Sequence, residues 1–223
     1  MRVVEHEMSD PTSNAETRGA SIALAAEIAS HLVSHMIAPA ELIAILDRAG
    51  VRFVLTGAYA LGVWTDAPRA TMDVDALVDQ TDHDKAVAAV LADYPALQVE
   101  ETEVVTRFRS PASGKVVIDL MRPGGAFLEA VFANATRATV DGQDVLIPEL
   151  EMAAAMKFAA MVSPWRELSK KYIDAGDFIA IVRRHPGLDR EKLAALAELL
   201  YSDAGDEVRR LADDAVAGRR LTF

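Results

Sequence analysis

The chain has 223 residues and no cysteine, a length that suits one sizeable domain or two small ones sharing an interface. Its 51% hydrophobic and 26% charged content excludes a disordered chain, and the missing thiols exclude disulfides and thiolate metal sites while fitting a reducing cytoplasm. A net charge of −11 argues against a general nucleic-acid coat protein, although the acidic excess lies almost wholly before residue 148.

Residues 1–19 are polar, without the basic start and apolar core of a secretory signal, and read as a flexible tail. Residues 20–37 predict an amphipathic helix, broken by Glu27, His31 and His35 and so unsuited to crossing a membrane. His31 and His35 lie one turn apart, but without a His-Glu-x-x-His pattern they read as a polar helix face. Pro39 and Gly50 bracket a second helix. "VRFVLT" (51–56) predicts a strand ended by Gly57, "AYALGVW" (58–64) a short helix, and residues 71–78 a strand. A helix is expected over 82–94, capped by Thr81 or Asp82, with strands at 97–101, 104–109 and 115–121. "ATRATVDGQDVLI" (135–147) predicts a hairpin turning at Asp141-Gly142. From Pro148 onward the pattern is helical alone: 148–162, 166–184, 189–201 with Asp189 as cap, and 203–217. The layout is α+β, a mixed part over 20–147 followed by a helical bundle over 148–223.

Within this layout, "PRATMDVDALVD" (68–79) places Asp73 and Asp75 on one face of a strand that otherwise reads as buried. Two like charges so close repel, and burying them unpaired is unfavourable by several kcal/mol, roughly. Either that strand end is wet or a cation sits between them. Upstream, Gly57 lets the backbone approach a ligand just where a helix begins, and exposed amides at a helix start attract phosphate. Downstream, "VVIDLM" (116–121) carries a lone carboxylate, Asp119, in an apolar strand, where it needs a partner. Three aspartates from neighbouring strands beside a glycine turn suit a hard divalent cation and a polyphosphate. No Gly-x-Ser-x-Gly and no Gly-x-x-x-x-Gly-Lys is present, which leaves hydrolase and P-loop chemistries without a motif. Lys157 stands alone in the apolar run "MAAAMKFAAM", and with Arg166, Lys170, Lys171, Arg183 and Arg184 it forms a candidate positive strip. Asp174 and Asp177, three apart, share a helix face and can pair with Lys170 and Lys171. Trp64 and Trp165 can stack on a base or serve packing.

The order strand, glycine turn, helix, strand with Asp-x-Asp, and later strand with one Asp resembles the nucleotidyltransferase (polymerase-β-like) superfamily. The likeness runs over about residues 51–178 and is strongest to AbiEii-type toxins of toxin–antitoxin systems. "TGAYAL" (56–61), "PRATMDVDAL" (68–77), "IDL" (118–120), "MKFAAM" (156–161) and "RELSKKYIDAGDF" (166–178) carry it. Arg69 and Thr71 match the frequent Arg-x-Ser/Thr-x-Asp lead-in. The resemblance implies a nucleotidyltransferase-fold mixed sheet with flanking helices. It implies Mg²⁺ (or Mn²⁺) on Asp73, Asp75 and Asp119, with NTP as substrate. Asp119 would share the metal at the attacking oxygen or accept its proton. The nucleotide would meet Gly57, Ala58, Thr71, Lys157, Arg166, Asp174 and Asp177, and Lys157 would also serve catalysis. A tRNA acceptor and a cognate antitoxin are likewise implied. Many relatives have Gly-Ser or Gly-Gly at the turn; Gly57-Ala58 keeps the amides but lacks a hydroxyl. Two alternatives stay open: transfer to a small hydroxylated molecule (an aminoglycoside, for instance) or a protein side chain, and a catalytically silent nucleotide-binding scaffold.

Overall fold

The period-two strands of the first part meet in one sheet, and the helices of the second part close over one of its faces. The computed structural model describes residues 36–65 and 71–223. The expected tail, His31, His35, Arg69 and nearly all of the helix expected over 20–37 lie outside the described residues. The elements in chain order are α1 (Pro39–Arg48), β1 (Phe53–Leu55), α2 (Gly57–Thr65), β2 (Val74–Val78), α3 (His83–Asp93), β3 (Gln98–Glu101), β4 (Val105–Arg109) and β5 (Val116–Met121). There follow α4 (Ala126–Ala133), β6 (Ala135–Val140), β7 (Gln143–Pro148), α5 (Leu150–Val162), α6 (Leu168–Arg184), α7 (Arg190–Ala197) and α8 (Ala204–Val216).

Five strands form a mixed sheet in the order β1-β2-β5-β4-β3, and β6 and β7 make a separate two-stranded hairpin. Within the large sheet β2 and β5 run parallel, and the other neighbours antiparallel. That parallel pair needs a long crossover, which α3, β3 and β4 supply. The hairpin turns at Asp141 (φ 50°) and Gly142 (φ 76°), both left-handed as a two-residue primed turn requires.

Local chemistry explains most boundaries. α1 opens with Pro39 while the Glu41 carboxylate accepts the Ala38 N–H at 2.9 Å, and it stops before Gly50 at φ 62°. Asp189 caps α7, its Oδ1 accepting the Glu191 and Lys192 amides at 3.0 Å. Three boundaries differ from the sequence expectation. Asp82 does not cap α3, because its carboxylate instead accepts the Arg52 N–H at 2.8 Å across the fold. The helix expected over 189–201 ends at Ala197, because the Glu198 carboxylate accepts the Asp203 and Gly205 amides at 3.0 and 2.8 Å and ties down the turn into α8. The strand expected from residue 71 begins at Val74, leaving Asp73 in its lead-in with a hydrogen bond from the Thr71 hydroxyl.

The alternation of strand side chains sorts the residues between two cores. Val74, Ala76 and Val78 of β2, Phe108 of β4, and Ile118 and Leu120 of β5 pack with Leu42 and Leu46 of α1, Val90 of α3 and Ile147 of β7. Val54 and Leu77 face the other way, onto Phe158, Phe178, Leu193 and Leu211 of the later helices. This second core crosses from the mixed part into the helical part, and residues 37–223 form one unit. Asp75 and Asp119 sit between residues committed to the first core, so alternation turns both toward the helices. Phe108 is fully buried, and Phe108→Ala should lower unfolding free energy by about 3–5 kcal/mol. Trp165→Ala, at a side chain 94% exposed, should change it by less than about 0.5 kcal/mol. Urea unfolding followed by circular dichroism measures both.

Candidate active site

The site begins at the end of β1. Gly57 has φ 64°, and a Cβ on it would lie 2.7 Å from Asp75 Cγ, so any side chain there would collide with the carboxylate. The preceding residue, Thr56, donates its backbone N–H to the Asp75 carbonyl at 2.9 Å, which fixes the turn against β2. Helix α2 starts at Gly57, and Thr56, Gly57 and Ala58 all line a cavity of about 720 Å³. The helix's first amides have no intrahelical acceptor, the usual condition for binding phosphate oxygens. Ala58 is buried, so the residue that replaces serine is part of the cavity wall.

Parallel pairing sets Asp75 directly beside Asp119. Asp73, from the lead-in, completes the group: one carboxylate oxygen of each of the three lies within 4.8 Å of those of the other two. The three acids are partly buried and line the cavity. Burial, with Asp73 and Asp119 alongside, raises the Asp75 pKa from 3.8 to about 7, while Lys157 and Arg166 act against the rise. Burial also raises Asp119, with the nearby Arg107 opposing and Asp73 reinforcing it. Asp119 Oδ1 is buried and has no hydrogen-bond partner among the described residues.

These features fit a divalent cation. The donor set is all carboxylate oxygen, one member has an orphaned buried atom, and burial with like-charge crowding raises the Asp75 and Asp119 pKa values. Magnesium and calcium favour such hard oxygen ligands.

Across the cavity, α5 and α6 bring up a second ionic group. Lys157 Nζ lies 3.0 Å from Asp174 Oδ1 and 2.8 Å from Asp177 Oδ2. Arg166 donates to Asp174 Oδ2 from Nε, with Nη2 also at 2.9 Å. Asp174 is 2% exposed, so it pairs with both cations from a position inside the fold. Lys157, Arg166 and Asp174 line the cavity; Asp177 holds Lys157 without being part of the lining. Asp174 and Asp177 therefore pair with the inward cations, and Lys170 is left facing the cavity mouth. The candidate strip does not form one surface, since Lys157 turns inward and Arg183 and Arg184 sit at the far end of α6.

Trp64 serves packing: its Nε1 donates to the Pro148 carbonyl at 3.0 Å, and its ring meets His185 edge-on at 6.1 Å. Two cavity residues had no role assigned from the sequence. The buried hydroxyl of Thr56 has no hydrogen-bond partner among the described residues, and Arg107 stands opposite Asp119 on β4. Arg107 lies in no motif, and an arginine in a strand becomes notable only once its cross-strand neighbour is known.

A raised carboxylate pKa makes folding weaken with pH. Protonated Asp75 is tolerated below its unfolded pKa of 3.8, and the stability it leaves intact is lost as pH rises through about 7. The full rise corresponds to at most roughly 4 kcal/mol. In chelator, Asp75→Asn should therefore be more stable than wild type at pH 8, with the difference shrinking toward pH 4. Urea unfolding across this range tests it, and a difference independent of pH would contradict the assignment.

Comparison with solved structures gives neighbours of distant sequence. An antigenic nucleotidyltransferase-like protein from Paracoccidioides brasiliensis is 16% identical, covers 81% of this chain and 92% of its own, and has a TM-score of 0.44. The antibiotic-resistance factor ANT(2″)-Ia is 17% identical over 74% of this chain and 87% of its own, at a TM-score of 0.48. The Megavirus polyadenylate synthase is 11% identical over 83% of this chain and 40% of its own, at 0.44. No curated protein matches. The model of one family, described as the nucleotidyl transferase AbiEii toxin of type IV toxin–antitoxin systems, matches residues 44–221. With most of its length so matched, from before β1 through α8, the chain belongs to the AbiEii nucleotidyltransferase family and is a transferase of the EC 2.7.7 type.

Proposed function

We propose that the protein moves a nucleoside monophosphate from an NTP to the hydroxyl at an RNA end, with tRNA as the acceptor. In this reading it works in the cytoplasm as the toxin of a pair with a cognate antitoxin, and its Mg²⁺ (or Mn²⁺) is held by Asp73, Asp75 and Asp119. Family membership supports the toxin role and the nucleotide substrate. The observation that carries the chemistry is the meeting of three carboxylates, within 4.8 Å of one another, beside the Gly57 turn. Among the described residues no helix is long and apolar enough to cross a membrane. The two-part organisation, with a boundary near residue 147, is retained as part of the proposal; the two parts share the core behind the cavity.

The metal, when bound, supplies charge neutralisation at the transferring phosphoryl group and lowers the pKa of the attacking hydroxyl. The protein does the rest by position. Amides of the Gly57-Ala58 turn donate to phosphate oxygens, and the absent Cβ at Gly57 keeps that approach open beside Asp75. Thr71 orients the Asp73 carboxylate through its hydroxyl. Lys157 and Arg166, held by Asp174 and Asp177, place fixed positive charge along the cavity wall with no rearrangement needed when the triphosphate enters. The acceptor oxygen forms its bond to the α-phosphorus as the bond from that phosphorus to the bridging β-oxygen breaks, and pyrophosphate leaves. Asp119, on the strand beside Asp75, takes the hydroxyl proton.

Wild type incubated with α-labelled NTPs and total RNA should label RNA in the tRNA size range. Asp73→Ala and Asp75→Ala should each reduce that labelling by at least about a thousandfold. Equal labelling by the variants would defeat the proposed chemistry, and labelling of a small hydroxylated acceptor in place of RNA would defeat the proposed acceptor. Gly57→Ala forces a side chain into the Asp75 carboxylate at a left-handed position. It should abolish transfer and shift magnesium binding, measured by calorimetry, well below wild type.

A further inference from the structure

The sheet carries a lateral row of charge that the transfer chemistry above uses only in part. Asp75 on β2 is paired in register with Asp119 on β5, Asp119 with Arg107 on β4, and Arg107 with Glu100 on β3. Directly opposed strand residues share a face, so the row reads acid, acid, arginine, acid across four strands. Arg107 lines the same cavity as the aspartates.

Arg107 is loosely held. Its Nε is 3.7 Å from Asp119 Oδ1 and its Nη1 is 3.6 Å from Glu100 Oε1. Charge-assisted hydrogen bonds normally close to about 2.7–2.9 Å. The guanidinium thus has donor capacity beyond what its two neighbours take up, and its side chain is 36% exposed. The other cavity-lining cations, Lys157, Arg166 and Lys170, come from α5, α6 and the turn joining them. Lys157 and Arg166 are already tied to Asp174 by short ionic contacts. Arg107 is the cation that the sheet itself contributes to the lining, on the far side of Asp119 from the Gly57 turn.

This position has a chemical consequence, which rests on the proposed transfer reaction. The Gly57 turn would hold the triphosphate at the β1–β2 end of the sheet, so the acceptor lies over β5 beyond it, and the part of the acceptor next to the attacking hydroxyl lies over β4. From this we infer that Arg107 is the acceptor-side specificity residue, selecting an acceptor with an anionic phosphodiester beside its attacking hydroxyl. A planar fork of donors matches phosphate oxygens. The same charge repels the ammonium groups of cationic sugars. The acceptor class is therefore the 3′ end of a polynucleotide, and its last internucleotide phosphate is the group Arg107 binds. Since the reacting bond forms at the neighbouring oxygen, Arg107 positions the acceptor and takes no part in proton transfer.

The test uses the full chain and a short single-stranded RNA with a fluorescent 5′ label. The RNA is made once with ordinary linkages and once with an uncharged methylphosphonate at its last linkage. By anisotropy, wild type should bind the charged form about tenfold more tightly than the neutral one. Arg107→Gln should bind the two forms equally, near the wild-type affinity for the neutral form, and Arg107→Lys should keep part of the preference. In transfer assays Arg107→Gln should raise KM for RNA about tenfold while leaving KM for NTP within about twofold. If the neutral linkage weakens wild type and Arg107→Gln by the same factor, or weakens neither, the inference is overturned, and continued labelling of RNA by wild type would leave the proposed function standing. If wild type labels no RNA at all, it is the proposed function that fails, and the inference goes with it. Matching thermal melts for wild type, Arg107→Gln and Arg107→Lys exclude misfolding as the cause of any change.

Discussion

Repulsion among Asp73, Asp75 and Asp119 is the constraint to which the rest of the fold answers. Three carboxylates held within 4.8 Å, partly buried on a sheet, oppose folding in the absence of a cation. Asp75 and Asp119 are tolerated because their neighbours in sequence are committed to a core on the opposite face. Val74, Ala76, Ile118 and Leu120 bury themselves against α1, α3 and the hairpin, and strand alternation leaves Asp75 and Asp119 no other direction. Hydrophobic burial on one face thus offsets unfavourable electrostatics on the other, an arrangement found where a site is built for a ligand's charge rather than for stability alone.

The helical part answers the same constraint from across the cavity. A lysine in the run "MAAAMKFAAM" is improbable as core, and here it reaches a buried aspartate on the next helix. Asp174 holds Lys157 and Arg166 together, so positive charge stands near the acid cluster in a fixed geometry. Both cations lower the Asp75 pKa against the dominant effect of burial, which is the measure of how far the two groups feel one another. Because Val54 and Leu77 of the sheet share a core with Phe158 and Phe178 of the helices, the two ionic groups are held in register by apolar packing rather than by direct contact.

Much of the first group was legible along the chain. Asp-x-Asp at 73–75, a glycine before a helix, and a lone acid in "VVIDLM" are local patterns, and period two alone says that Asp73 and Asp75 share a side. Helix and strand existence was equally legible, since it follows from short-range periodicity. Some expectations failed where a more distant group competed for a local one. Asp82 is a good cap by composition, but the Arg52 amide, thirty residues earlier, took its carboxylate. Helix spacing offers Lys170 and Lys171 as local partners for Asp174 and Asp177. The actual partners, Lys157 and Arg166, lie across a helix–helix contact.

By itself, then, the sequence determined the inventory: which segments are strands and helices, which residues are charged within apolar runs, and on which side of each strand they stand. These are consequences of backbone geometry acting over a few residues. Only the tertiary structure decided adjacency. That Asp75 lies beside Asp119 depends on a parallel pairing between strands forty residues apart, and that Arg107 follows Asp119 depends on an antiparallel one. Strand pairing and register are settled by the packing of the whole core, so the row of charge they create, and the direction in which an acceptor meets it, has no signature in any local stretch of the chain.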